Sequence, residues 1–155
     1  MTAVYELHET LTADGEVAYE PYVDGRWVSW RSFVHHEDVD YGSTTSGVKI
    51  EPHRSRGFLV PMENSLTLST IWGSHTYSDN HFAFPGPDPP FSETSATAEL
   101  ACWWEPRDQM ERWPDGDSVC GWFHAECWWA LLDVLSRLAT RSRLAEDRVV
   151  AEMIS

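Results

Sequence analysis

The sequence predicts an α+β domain, an antiparallel β-sheet meander covered by one amphipathic helix and a shorter C-terminal helix, and three observations predict it. Runs of alternating apolar and polar residues recur through the first two thirds of the 155-residue chain, with the period of half-buried strands. The pairs Asp14-Gly15 and Asp24-Gly25 separate the first of these runs, and Asp-Gly is a strong signal for a tight hairpin turn. The longest helical period comes late, over about residues 124–139.

Taken in order, Ala3, Tyr5, Leu7 and Leu11 alternate with Glu6, His8 and Thr10, which predicts a first strand over 3–11. Residues 16–23 form the second, with Pro21 marking an edge or a bulge, and residues 27–34 the third. Residues 35–57 are loop by composition, with Val48-Lys49-Ile50 as a short strand inside it. Phe58-Leu59-Val60 and residues 66–72 read as two strands joined by a turn, with Leu66, Leu68 and Trp72 facing the core. A second long loop spans 73–95. Four prolines lie between Pro85 and Pro90, which excludes a helix and favours an extended path that Phe82, Phe84 and Phe91 would pin to the body.

The chain is organised around residues 96–139, which hold all three cysteines and six of the nine tryptophans. Ala98, Leu100, Cys102 and Trp104 share one face of a strand, with Thr97, Glu99, Ala101 and Trp103 on the other. A hairpin centred near Glu111 sets Cys102 opposite Cys120 on a short strand over 118–123. Cys127, Leu131, Val134, Leu135 and Leu138 then make the apolar stripe of the helix. Starting that helix at Asp117 or Ser118 is the alternative, and it gathers Cys120, His124 and Cys127 on one face. Gly121 in a helix interior costs about 1 kcal/mol relative to Ala, which favours the strand. Residues 142–154 read as the C-terminal helix.

A chain of this length suits a single domain able to bury a core without disulfides. The odd cysteine count and the start Met1-Thr2-Ala3-Val4-Tyr5-Glu6, neither basic nor apolar, predict a cytoplasmic protein with reduced thiols. No run approaches the roughly 20 apolar residues of a membrane span. The net charge is −14, distributed as −7 over residues 1–53, −6 over 54–118 and −1 over 119–155. Such a charge repels phosphate backbones and argues against direct nucleic-acid binding, while suiting a basic protein partner; plain solubility is the competing explanation. Ten arginines against one lysine point to a GC-rich genome.

Three groups of residues have the chemistry for a site. Cys102, Cys120, His124 and Cys127 have the ligand types of a zinc site, although their gaps exceed the usual short knuckles, and buried cysteines acting as small hydrophobes are the alternative. His35, His36, Glu37, Asp38 and Asp40 pair imidazole with carboxylate, with His75 and His81 as further donors, against the reading of a solvated acidic loop. The adjacent pairs Trp103-Trp104 and Trp128-Trp129 cannot all face one core, so some indole surface is expected at a binding face or under a neighbouring segment. No nucleophile elbow, papain-type cysteine surround or phosphate-cradling glycine loop occurs.

Thr97-Ala98-Glu99-Leu100-Ala101, followed by Asp115-Gly116-Asp117-Ser118-Val119-Cys120-Gly121-Trp122 and Ala130-Leu131-Leu132-Asp133-Val134-Leu135, resembles the strand, turn, strand and helix layout of uncharacterised small acidic proteins of actinobacterial bacteriophages, over about a quarter of the chain. The resemblance implies binding or inhibition of host machinery and transfers no catalytic residue. The expectation is therefore a non-enzymatic interaction protein that binds and inhibits a basic or nucleic-acid-binding host protein. Trp103, Trp104, Trp128 and Trp129 are its expected anchors and Glu37, Asp38 and Asp40 its acidic contacts. A small-molecule sequestering protein with an aromatic, nucleotide-like pocket is the alternative, and a zinc domain built on the Cys/His cluster a third.

Overall fold

The computed structural model describes residues 2–11, 13–28, 49–51, 55–73, 76–79, 94–106 and 109–154. Its first three strands, β1 (Tyr5–Leu11), β2 (Val17–Val23) and β3 (Arg26–Trp27), form an antiparallel sheet in that order. Asp24 and Gly25 both take positive φ, 53° and 74°, the backbone a two-residue hairpin turn needs so that its twist matches the strands. Pro21 lies opposite Leu7 on β2, the middle strand of this sheet, and not at an edge. Its carbonyl accepts from Val28 N at 2.9 Å, just past the two-residue β3, so the missing proline N–H falls where the ladder to β3 ends. Of the predicted third strand, residues 29–34 lie outside the described residues.

The second sheet has five antiparallel strands in sequence order: β4 (Lys49–Glu51), β5 (Ser55–Pro61), β6 (Leu66–Gly73), β7 (Thr97–Trp104) and β8 (Cys120–His124). The short strand expected around Val48-Lys49-Ile50 is β4, whereas residues 55–57, expected as loop, open β5, because β4 and β5 pair through Lys49 with Leu59 and Glu51 with Gly57. Helix α1 (Ala125–Ser136) follows β8 directly, and a 3-10 turn (Leu144–Glu146) leads to α2 (Arg148–Ile154). The predicted α+β architecture is thus the observed one, with two antiparallel sheets in place of one continuous meander.

The core lies between the larger sheet and α1, and the smaller sheet closes it. Register places Phe58 and Val60 of β5, Leu66, Leu68, Thr70 and Trp72 of β6, and Leu100, Cys102 and Trp104 of β7 on one face, and all are buried. Tyr5 of β1 stacks on Trp72 at 5.7 Å between ring centroids, and its hydroxyl donates to the Phe123 carbonyl at 2.9 Å. Burial of the phenol raises its pKa well above the ordinary value, with Cys120 and Cys127 adding to the effect.

Two details depart from the pattern expected of residues 96–139. The buried face of α1 is Ala125, Trp128, Leu131, Leu132 and Leu135, so the helix is rotated and Cys127 is exposed. The reason is size. Burying the Trp128 indole removes far more apolar surface from water than burying a cysteine. In addition, Cys102 pairs with Leu68, and Cys120 with Leu100, so the two cysteines are not opposite one another. The chain between them intrudes, and Glu111 N donates to the Cys102 carbonyl at 2.8 Å, closing that strand edge before β8 begins.

Candidate functional site

Of the expected tryptophan anchors, three are core residues. Trp103, Trp104 and Trp128 are at most 5% exposed, and only Trp129 is partly so. Each indole N–H is spent inside the fold: Trp103 on Glu105 Oε1 at 2.8 Å, Trp104 on the Ser142 carbonyl at 3.0 Å, Trp128 on Thr70 Oγ1 at 3.0 Å and Trp129 on the Val23 carbonyl at 2.8 Å. Trp103 and Trp104 do face opposite sides of β7, but both of its sides are covered there, so adjacency exposes neither ring. Glu37, Asp38 and Asp40, with His35, His36, His75 and His81, lie outside the described residues.

The Cys/His cluster is dispersed. Cys102 and Cys120 are buried on the sheet and Cys127 is exposed on α1, and among the described residues no three His, Cys, Asp or Glu side chains gather closely enough to hold a metal ion. Burial pushes the Cys120 thiol up to about 11, with Asp115 contributing, and raises Cys102 further, aided by Glu111 and Cys120. A thiol-specific reagent at mildly alkaline pH is expected to modify Cys127 quickly and to reach Cys102 and Cys120 only as the protein unfolds. Three thiols titrating at one rate would contradict this packing. Two clefts lie among the described residues, and neither is lined by a tryptophan, tyrosine or phenylalanine. One of about 280 Å³ is lined by Thr2, Ala3, Ala96, His124, Ala125 and Glu126, and one of about 340 Å³ by Gln109, Met110, Glu111, Arg112, Ser118, Arg143 and Ala145.

An exposed aromatic pair has formed elsewhere, where β8 meets β7. Ala98 pairs with Phe123 but Leu100 pairs with Cys120, so the single residue Glu99 stands against two, Gly121 and Trp122. Such a bulge re-aims a side chain and bends the strand. Trp122 takes φ +51°, a left-handed backbone that costs a residue with a Cβ about 1–2 kcal/mol. Its side chain is 51% exposed, and Tyr77, 46% exposed, lies against it. The ring centroids are 5.3 Å apart with the planes tilted by 32°, within the separation at which aromatic pairs attract.

Gly121 makes this contact possible, because a Cβ there would sit 2.7 Å from Tyr77 Cβ. The loop carrying Tyr77 is fastened to both strands. Trp122 N donates to the Tyr77 carbonyl at 2.8 Å, Tyr77 N to Glu99 Oε1 at 3.3 Å and Asp79 N to Thr97 Oγ1 at 2.9 Å. Thr76 Oγ1 donates to the Gly73 carbonyl at 2.7 Å and Ser78 Oγ accepts from Gly73 N at 3.2 Å. The result is a two-ring step held on backbone hydrogen bonds, with the half-buried Glu99 carboxylate at its base and Asp79 exposed two residues beyond Tyr77. The sequence carried one signal for it: an isolated glycine in a strand pattern suggests a bulge, whereas Gly121 serves above only to decide strand against helix. Tyr77, 45 residues away from Trp122 in the chain, carries no local signal at all.

Comparison with protein-family models, with curated proteins and with solved structures finds no match for this chain.

Proposed function

We propose that this chain is a non-enzymatic acidic interaction protein that binds a basic or nucleic-acid-binding protein and inhibits it by covering its positive surface. The observation that carries the reading is the exposed Tyr77–Trp122 pair, set beside Glu99 on a chain of net charge −14. Exposed tryptophan and tyrosine are the side chains that most often dominate binding energy at protein interfaces, and surrounding charge of one sign selects a partner of the other and speeds its approach. The strain at Trp122 supports the same reading, since a backbone held in a costly region on a surface strand is more typical of a site than of packing. Glu37, Asp38 and Asp40 remain the proposed acidic contacts, and the resemblance to small acidic phage proteins points to a host protein as the target.

The test is association with purified basic nucleic-acid-binding proteins from the host, followed by calorimetry across a salt series. Binding that weakens steeply with salt, competes with the partner's nucleic acid and is reduced by Trp122→Ala and by joint replacement of Glu37, Asp38 and Asp40 with alanine is the expected result. Binding indifferent to salt and to both replacements would refute the reading.

A further inference from the structure

We infer that the Tyr77–Trp122 step is a receptor for an arginine side chain, whose guanidinium stacks on the exposed rings while the Glu99 carboxylate pairs with its N–H groups. The inference rests on the proposed function and names the chemistry by which a basic partner would be recognised. It follows from the exposed, tilted ring pair, the carboxylate tied to the Tyr77 backbone at the base of the step, and the acidity of the chain around it.

A flat aromatic surface with a carboxylate beside it discriminates among ligands by shape and hydration. A guanidinium is planar, delocalised and weakly hydrated, so it lies on a ring face with little desolvation cost and still directs N–H groups in its own plane toward a carboxylate. The lysine ammonium is compact and strongly hydrated, and it forfeits the stacking. Nucleobases and sugars also stack on tryptophan, but phosphate is repelled by a chain of charge −14. The described residues already use the favoured pairing: the Arg26 guanidinium carbon sits 4.0 Å from the centre of the Trp129 ring. Trp122 stands at the bulge with a left-handed backbone and is half exposed, which leaves indole surface open to such a cation.

The test compares two peptides of equal length and charge, one rich in arginine and one in lysine, titrated calorimetrically into the intact protein at low salt. The arginine peptide is expected to bind several-fold more tightly. Trp122→Ala should weaken it about tenfold, a loss in the range of a partly desolvated cation–π contact, while leaving the lysine peptide nearly unchanged. Trp122→Asn, a residue suited to positive φ, serves as the folded control and should lose the same preference with thermal stability retained. Equal binding of the two peptides, unaffected by either replacement, overturns the arginine site and leaves the acidic interaction reading standing. Binding of neither peptide overturns both. A mononucleotide that competes with the arginine peptide for Trp122 would overturn the assignment in favour of base stacking.

Discussion

Replacing Trp128 with alanine is expected to destabilise the protein by about 3–5 kcal/mol, the range for removing a fully buried large aromatic side chain. The indole is 0% exposed and is the point at which α1 meets the larger sheet. It packs edge-on against Phe58 with ring centroids 5.6 Å apart and donates its N–H to Thr70 Oγ1 at 3.0 Å. Alanine there leaves a cavity lined by the sheet's inner face and also strands a buried hydroxyl, which adds a desolvation penalty to the packing loss. Since domains are stable by only about 5–15 kcal/mol, a substantial share of the margin goes with one side chain. Denaturant unfolding of Trp128→Ala and Trp128→Phe checks this, with phenylalanine expected to restore the packing but not the hydrogen bond. A loss below about 1 kcal/mol for the alanine variant would mean that α1 is not docked through Trp128.

Gly57→Ala is expected to be comparably damaging, for the opposite reason. A Cβ at Gly57 would lie 2.2 Å from the Thr70 carbonyl oxygen and 2.9 Å from Ile71 Cα. Both are backbone atoms of β6, paired with β5 through Gly57 and Ile71, so no rotamer change relieves the clash. Overpacking a core typically costs about 1–3 kcal/mol where side chains can yield, and a cost at or beyond the top of that range is expected where a ladder must separate. Amide hydrogen exchange is the informative measurement. Protection should fall along Ser55–Pro61 and Leu66–Gly73 in the variant while the hairpin of Tyr5–Leu11 and Val17–Val23 keeps its own. Gly15→Ala makes the contrast, because its Cβ would meet nothing within 4 Å and only its φ of +82° opposes the change, a penalty of about 1 kcal/mol.

These two positions mark where sequence reasoning stops. The alternation over 66–72 and 97–104, the Asp-Gly turn at 24–25 and the helical period after His124 are local properties, each written within a few residues of the element it specifies. The strands Leu66–Gly73 and Thr97–Trp104 and the helix Ala125–Ser136 accordingly appear where that pattern puts them. Periodicity also identifies Leu66, Leu68 and Trp72 as core residues, and all three are fully buried. It does not say how a helix turns about its own axis. The stripe through Cys127 and the stripe through Trp128 are both apolar, and the facing Phe58 and Thr70, remote in sequence, select the one with the larger ring.

The candidate site is more dependent on tertiary structure still. Nine tryptophans in 155 residues, four of them in adjacent pairs, lead one to expect some exposed indole surface without saying where. Adjacency favoured the Trp103-Trp104 and Trp128-Trp129 pairs, and the layers on either side absorbed all but part of Trp129. Trp122 faces outward because Gly121 and Trp122 share one partner on β7 and because the Tyr77 loop packs where a glycine leaves room. A bulge is a mismatch between two strands, and a ring stack across 45 residues is a contact between two loci. Local pattern determined the elements and the acidity of this chain; the pairing of strands that local pattern cannot see decided which aromatic surface it presents.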